Sequence, residues 1–128
     1  MAYKSFEELE VWRRACRIAV EVYEVLKDCK DYGMKDQMTR AAVSIASNIA
    51  EGAERNSIPD FIRFIHIAKG SAAELRTQLY IAYKADIIKK EPQDSLTSEL
   101  KELSAMLQSL AKSLKPNNLK PNNLKPNT

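Results

Sequence analysis

Lys69 and Arg76 have no Asp or Glu three or four residues away, so a helix would leave both charges unanswered. They fall in one helical row: Ile62, His66, Lys69, Ala73, Arg76, Tyr80 and Lys84. Cations interleaved with an aromatic can track a phosphate backbone and stack on a base. The competing reading is a set of isolated surface charges. Arg13, Arg14 and Arg17 make a second, weaker cluster, because Glu10 and Glu21 lie within reach to neutralise part of it. Other charges pair at helical spacing: Arg17 with Glu21, Asp36 with Arg40, Glu51 with Arg55, and Asp60 with Arg63. Such a pair contributes about 0.2–0.5 kcal/mol on an exposed helix and describes a solvated face.

Catalysis finds little to work with. His66 is the single histidine, and no HExxH, GxSxG, P-loop or GxGxxG pattern occurs. The two cysteines have no CxxC spacing, so neither a metal nor another cofactor is expected, and the chain reads as a non-enzyme. Cys16 sits on an apolar stripe as a small hydrophobe. Cys29 lies among Lys27, Asp28, Lys30 and Asp31 near a helix end. On one helix the two would be roughly 20 Å apart, too far for a disulfide.

Charge narrows the partners. The 128 residues carry 20 Lys and Arg against 17 Asp and Glu. Lys115, Lys120 and Lys125 account for the whole excess of +3, leaving residues 1–114 with 17 of each sign. The bundle is therefore not a strongly basic nucleic-acid binder. With 45% hydrophobic residues the chain can build a core, and no membrane span is expected. Glu7, Glu8 and Glu10 stand where a secretory signal would need an apolar run, so cytoplasmic residence is expected.

Four stretches with helical apolar spacing must position these residues. The first is predicted from Ser5, where Ser5-Phe6-Glu7-Glu8 fits a capping box, to about Lys30. It carries two stripes, Leu9, Trp12, Cys16, Ala19, Tyr23, Leu26 and Val11, Ala15, Ile18, Val22, Val25. Together they exceed what one bundle member normally buries, so either the bundle wraps them or another subunit does. The second, about Met34 to Glu54, is rich in Ala, Ser and Gly, which suits close packing at the centre. The third starts at Ser57-Ile58-Pro59-Asp60, with Ser57 as N-cap, and keeps heptad spacing from Ile58 to Asp86. Gly70 within it costs about 1 kcal/mol against Ala, and close helix contact at Gly70-Ser71 is the expected compensation. The fourth begins at Asp94 or Ser95 and presents Leu96, Leu100, Leu103, Leu107, Leu110 and Leu114. The fold class is all-α: an antiparallel up-down-up-down four-helix bundle over residues 1–114. Residues 115–128 form a low-complexity Lys/Pro/Asn tail, in which proline every five residues prevents a continuing helix.

The run from Gln37 to Gly52 (QMTRAAVSIASNIAEG) carries a further signal, as do Phe6–Trp12 and, in the third stretch, Phe61, Phe64, Ala68, Gly70, Ser71, Glu74 and Leu75. Over about residues 4–114 the chain resembles the four-helix-bundle proteins encoded in intervening sequences of bacterial 23S ribosomal RNA genes. The resemblance implies an up-down bundle, a homopentamer around a central channel, and no enzymatic activity. A related member is the accessory protein of diversity-generating retroelements, which binds nucleic acid and a reverse transcriptase through a positive surface. Arg40, Asn48, Glu51 and Arg55 match the family's polar positions in the second helix. Asn48 and Glu51 would either close a buried hydrogen-bond network or shape a subunit contact. Ala46 stands where family members often have proline, which implies a straighter second helix here.

The expected function is a non-catalytic, oligomeric binding or scaffolding module for RNA or a ribonucleoprotein. Its candidate contact residues are His66, Lys69, Arg76, Tyr80 and Lys84, with Arg13, Arg14 and Arg17 second. The alternative is a protein-only assembly module, such as a reverse-transcriptase accessory protein, or an intervening-sequence passenger with no nucleic-acid ligand.

Overall fold

Four helices form wherever the 3.6-residue spacing of apolar residues is sustained, and their ends follow local chemistry. The structure is a computed structural model that describes residues 5–115. It contains α1 (Glu10–Val25), α2 (Tyr32–Ala53), α3 (Ile58–Lys84) and α4 (Lys90–Ser113). Successive helices pack on one another and α4 closes against α1, giving the expected four-helix bundle. The reading of the tail lies outside the described residues. No helix among the described residues is long and apolar enough to cross a membrane.

Several predicted ends move. The capping box does not form: the Ser5 side chain makes no capping bond, and Phe6–Glu8 is a 3-10 turn. Leu9, in extended conformation, caps α1 instead. The Phe6 and Trp12 rings meet edge to face at 5.4 Å, folding the turn back onto the helix. At its other end α1 stops at Val25 rather than near Lys30, so Cys29 lies beyond it. The premise that both cysteines share one helix is therefore wrong; both are free thiols. The Asp31 side chain caps α2 by accepting from the Met34 amide at 3.1 Å, which starts that helix two residues earlier than predicted. Ser57 caps α3 as expected, accepting from the Asp60 amide at 3.1 Å. Helix α4 begins at Lys90, not at Asp94 or Ser95. Pro92 falls in its first turn, where an amide hydrogen would have no intrahelical partner.

The core is built from the second α1 stripe (Val11, Ala15, Ile18, Val22), the small face of α2, the heptad face of α3 and the leucines of α4. The heptad row runs out at both ends: Ile58 is exposed, and Asp86 takes a left-handed φ of 61° in the α3–α4 turn. The close helix approach occurs at Gly52, not at Gly70. A Cβ on Gly52 would stand 2.5 Å from Phe64 Cβ, whereas one on Gly70 would meet nothing within 4 Å. Gly70 itself is exposed; of the expected contact at Gly70-Ser71, only Ser71 reaches α2. Along the same α2–α3 seam, the Asn48 amide donates to the Ser44 carbonyl and hydroxyl at 2.8 and 2.9 Å, and the Ser44 hydroxyl bonds that of Ser71 at 3.0 Å. Glu51 takes no part in this chain and pairs with Arg55 at 3.0 Å.

Helices α1 and α4 are joined by charge as well as by leucines. Arg14 reaches across to Glu102 in an ion pair, with the Met106 sulfur at 3.4 Å. That bond holds the Arg14 guanidinium above its already high ordinary pKa. Nearby, burial pushes the Glu21 carboxyl above its ordinary range; Glu99 adds to the shift and Arg17 opposes it.

Two stability predictions follow from this packing. Gly52→Ala should cost about 1–3 kcal/mol, because the Phe64 Cβ, fixed to the α3 backbone, cannot yield cheaply. Gly70→Ala should instead stabilise by up to about 1 kcal/mol. Urea midpoints at unchanged slope check both, and the reverse order would contradict the packing described. For Glu21 the folded state disfavours the ionised form, so the penalty is present at neutral pH and fades as pH falls into the ordinary carboxylate range. Glu21→Gln should therefore be at least as stable as wild type at neutral pH and lose that part of the pH dependence in urea titrations.

Candidate nucleic-acid interface

Helices α3 and α4 run antiparallel, and one polar bond marks their register. Lys69 Nζ donates to Gln108 Oε1 across the seam. Seven residues further along α3 is Arg76, and seven residues back along α4 is Lys101. Both line a groove of about 440 Å³ with Thr77, Tyr80, Gln93 and Thr97. The α3 row thus becomes one wall of a groove whose other wall is α4.

Each row member has a distinct setting. Arg76 is half-buried, and its Nε is closed to solvent with no acceptor among the described residues. An orphaned donor of this kind costs roughly 1–3 kcal/mol. Lys101 has no ion-pair or hydrogen-bond partner among the described residues. Tyr80 is 56% exposed, with Lys84 Nζ 5.9 Å from its ring centre in a cation–π contact. His66 is exposed further along the same helix and is not among the residues lining the groove. Among the described residues, no cation of this row is matched by an acid: Lys69 meets an amide, Lys84 a ring, and Arg76 nothing. Sequence reading missed Lys101, because it lies on another helix and only the register brings it opposite Arg76.

The second cluster is dispersed. Arg13 Nε donates to the Glu7 carbonyl at 2.8 Å, Arg14 is held by Glu102, and Arg17 lines a groove with Glu21 and Glu99. The four family positions are also separated in role. Arg40 pairs with Asp36 at 3.1 Å, Arg55 with Glu51, and Asn48 belongs to the α2–α3 seam. Arg55 and Arg63 both lie over the Phe64 ring, at 4.9 and 4.6 Å. Among the described residues, no group of three or more His, Cys, Asp or Glu side chains is arranged to hold a metal.

A different surface lies between α1 and α2. Trp12, Cys16, Ala19, Val20, Tyr23, Val43, Ala46, Ser47 and Ala50 line a groove of about 420 Å³ with almost no polar wall. Val20 is 62% exposed, Tyr23 52% and Val43 42%. The bundle buries most of the second α1 stripe and takes Ala19 and Leu26 from the first, leaving Trp12 and Cys16 half-buried and Tyr23 exposed. Ala46 lies in this groove on an unbroken α2. Because α1–α2 and α3–α4 are opposite seams of the bundle, the apolar and basic grooves face away from each other.

Comparison with known proteins bears on this architecture. No curated protein matches the chain. The crystal structure of a protein of unknown function from the S23 ribosomal protein family of Bacteroides thetaiotaomicron is similar, with a TM-score of 0.74 and 28% sequence identity. The match covers 80% of this chain and 98% of that one. Residues 7–109, which span all four helices but for the last turn of α4, match the family described as 23S rRNA-intervening sequence protein, and the chain belongs to that family.

Proposed function

We propose that this chain is a non-catalytic module that assembles with copies of itself through the α1–α2 face and binds RNA or a ribonucleoprotein through the α3–α4 groove. The observation that carries the reading is the pair Arg76 and Lys101. In a bundle with no net charge, these two cations share a groove, unpaired among the described residues, beside an exposed tyrosine. An outside anion supplies the counter-charge that the chain does not. The family's name, which ties its genes to 23S ribosomal RNA, agrees with an RNA setting.

The assembly half of the reading rests on the uncovered apolar groove. The resemblance points to a homopentamer. An odd-numbered ring cannot close through self-complementary two-fold contacts, so the α1–α2 face would meet a different face of the next copy. A second reading, protein-only assembly of the kind a reverse-transcriptase accessory protein performs, draws on the same apolar groove and leaves the cations without a role.

Gel shifts with structured RNA at low and moderate salt test the binding. Retention should weaken steeply with salt, and Lys69→Ala/Arg76→Ala should lose at least about tenfold of the affinity. Equal, negligible retention by both proteins would remove the RNA reading in favour of the second. Light scattering tests the assembly: wild type should have a pentamer's mass, and Val20→Glu should lower it without loss of helical signal. A monomeric mass for wild type at micromolar concentration contradicts the oligomer.

A further inference from the structure

Resting on the RNA reading above, we propose that the α3–α4 groove is a single-strand site: Arg76 and Lys101 clasp one phosphate from opposite helices while Tyr80 stacks on the adjoining base. Three features select a single strand over a duplex. The clasp is narrow, since packed helix axes lie only about 8–10 Å apart. Tyr80 follows Arg76 by one turn, about 6 Å along the axis, so phosphate and base contacts fall within one nucleotide's reach. A base inside a duplex has both faces covered and cannot meet a tyrosine ring, and the A-form major groove admits no side chain.

The polar complement of the groove fits a nucleotide as well as a bare anion. The Gln93 amide donates to the Thr97 hydroxyl at 3.3 Å, which orients the side chain along the wall opposite Tyr80. Its carbonyl oxygen remains available to accept from a base edge. Lys84 stands above the Tyr80 ring, where it reinforces the stacking platform with charge. The bundle as a whole carries no net charge, so there is no broad positive field to hold a duplex by its backbone alone.

Fluorescence anisotropy on the full chain tests the assignment, with a labelled short oligouridine and a labelled blunt hairpin duplex carrying the same number of phosphates. The oligouridine should bind at least about tenfold more tightly. Tyr80→Ala should weaken it by about 5- to 150-fold, while Tyr80→Phe retains it. Lys101→Gln should weaken it and reduce the slope of log affinity against log salt by about 0.7. Tyr80 and Lys101 are exposed, and an unchanged urea midpoint confirms that each variant folds. Equal binding of duplex and single strand with Tyr80→Ala silent overturns the single-strand site and leaves an RNA-binding groove. Oligouridine binding indifferent to Lys101→Gln overturns the two-helix clasp. No retention of either probe overturns both this site and the RNA reading beneath it.

Discussion

The bundle depends on how closely α2 can lie against α3. Gly52 has no side chain because the Phe64 Cβ occupies the place where one would go. Along the same helix Ala41, Ala42 and Ala46 keep α2 slender between the bulkier Ile45 and Ile49, and the larger residues of its partners close over it. Interiors packed at crystal-like density transmit such a constraint, since one displaced ring moves every neighbour. The Asn48–Ser44–Ser71 chain adds direction to it. A hydrogen-bonded seam of small polar groups tolerates one axial register, whereas apolar packing alone tolerates several.

From that fixed pair the other helices inherit their places. Helix α3 carries the cations outward on its α4 side because its core row (Ile65, Ala68, Ala72, Leu75, Leu79) is committed inward. Helix α4 then supplies the opposing wall, with its leucine ridge buried and Gln108, Lys101, Thr97 and Gln93 turned to the seam. Helix α1 is held from the other side by its buried stripe and by Arg14 reaching Glu102. Its outer face, where Val20 and Tyr23 are exposed beside half-buried Trp12 and Cys16, is only partly covered, which is why a hydrophobic groove and a basic groove coexist on one small domain.

Much of this was legible in the sequence, and what was not has identifiable causes. Periodicity located all four helices, and Ser57 marked the start of α3, because both are short-range signals. The start of α1 differs because Ser5 to Glu8 satisfies a capping pattern while the edge-to-face contact of Phe6 with Trp12 favours a tighter turn. The start of α4 lies four residues before Asp94, because the helix opens behind Lys89, whose side chain makes no capping bond, so no capping residue marks it in the sequence. The wrong glycine was assigned to the close approach. Which of Gly52 and Gly70 meets a neighbour is decided by the crossing of two helices, and no local pattern encodes it. The basic row on α3 could be read from i±3 and i±4 spacing; Lys101 could not, because opposition across a seam needs the register.

The opposite placement of the two grooves has a further consequence for strength. A collar of copies joined through their greasy sides would display the same weak anion clasp several times around its rim. Each proposed clasp taken singly would be a modest binder, but a chain of phosphates long enough to visit two or three of them would gain by effective concentration, with factors on the order of 10²–10⁴ and no new contact. Under that proposal short and long polyanions would differ in hold far more than their composition suggests, and length itself would become what the protein distinguishes.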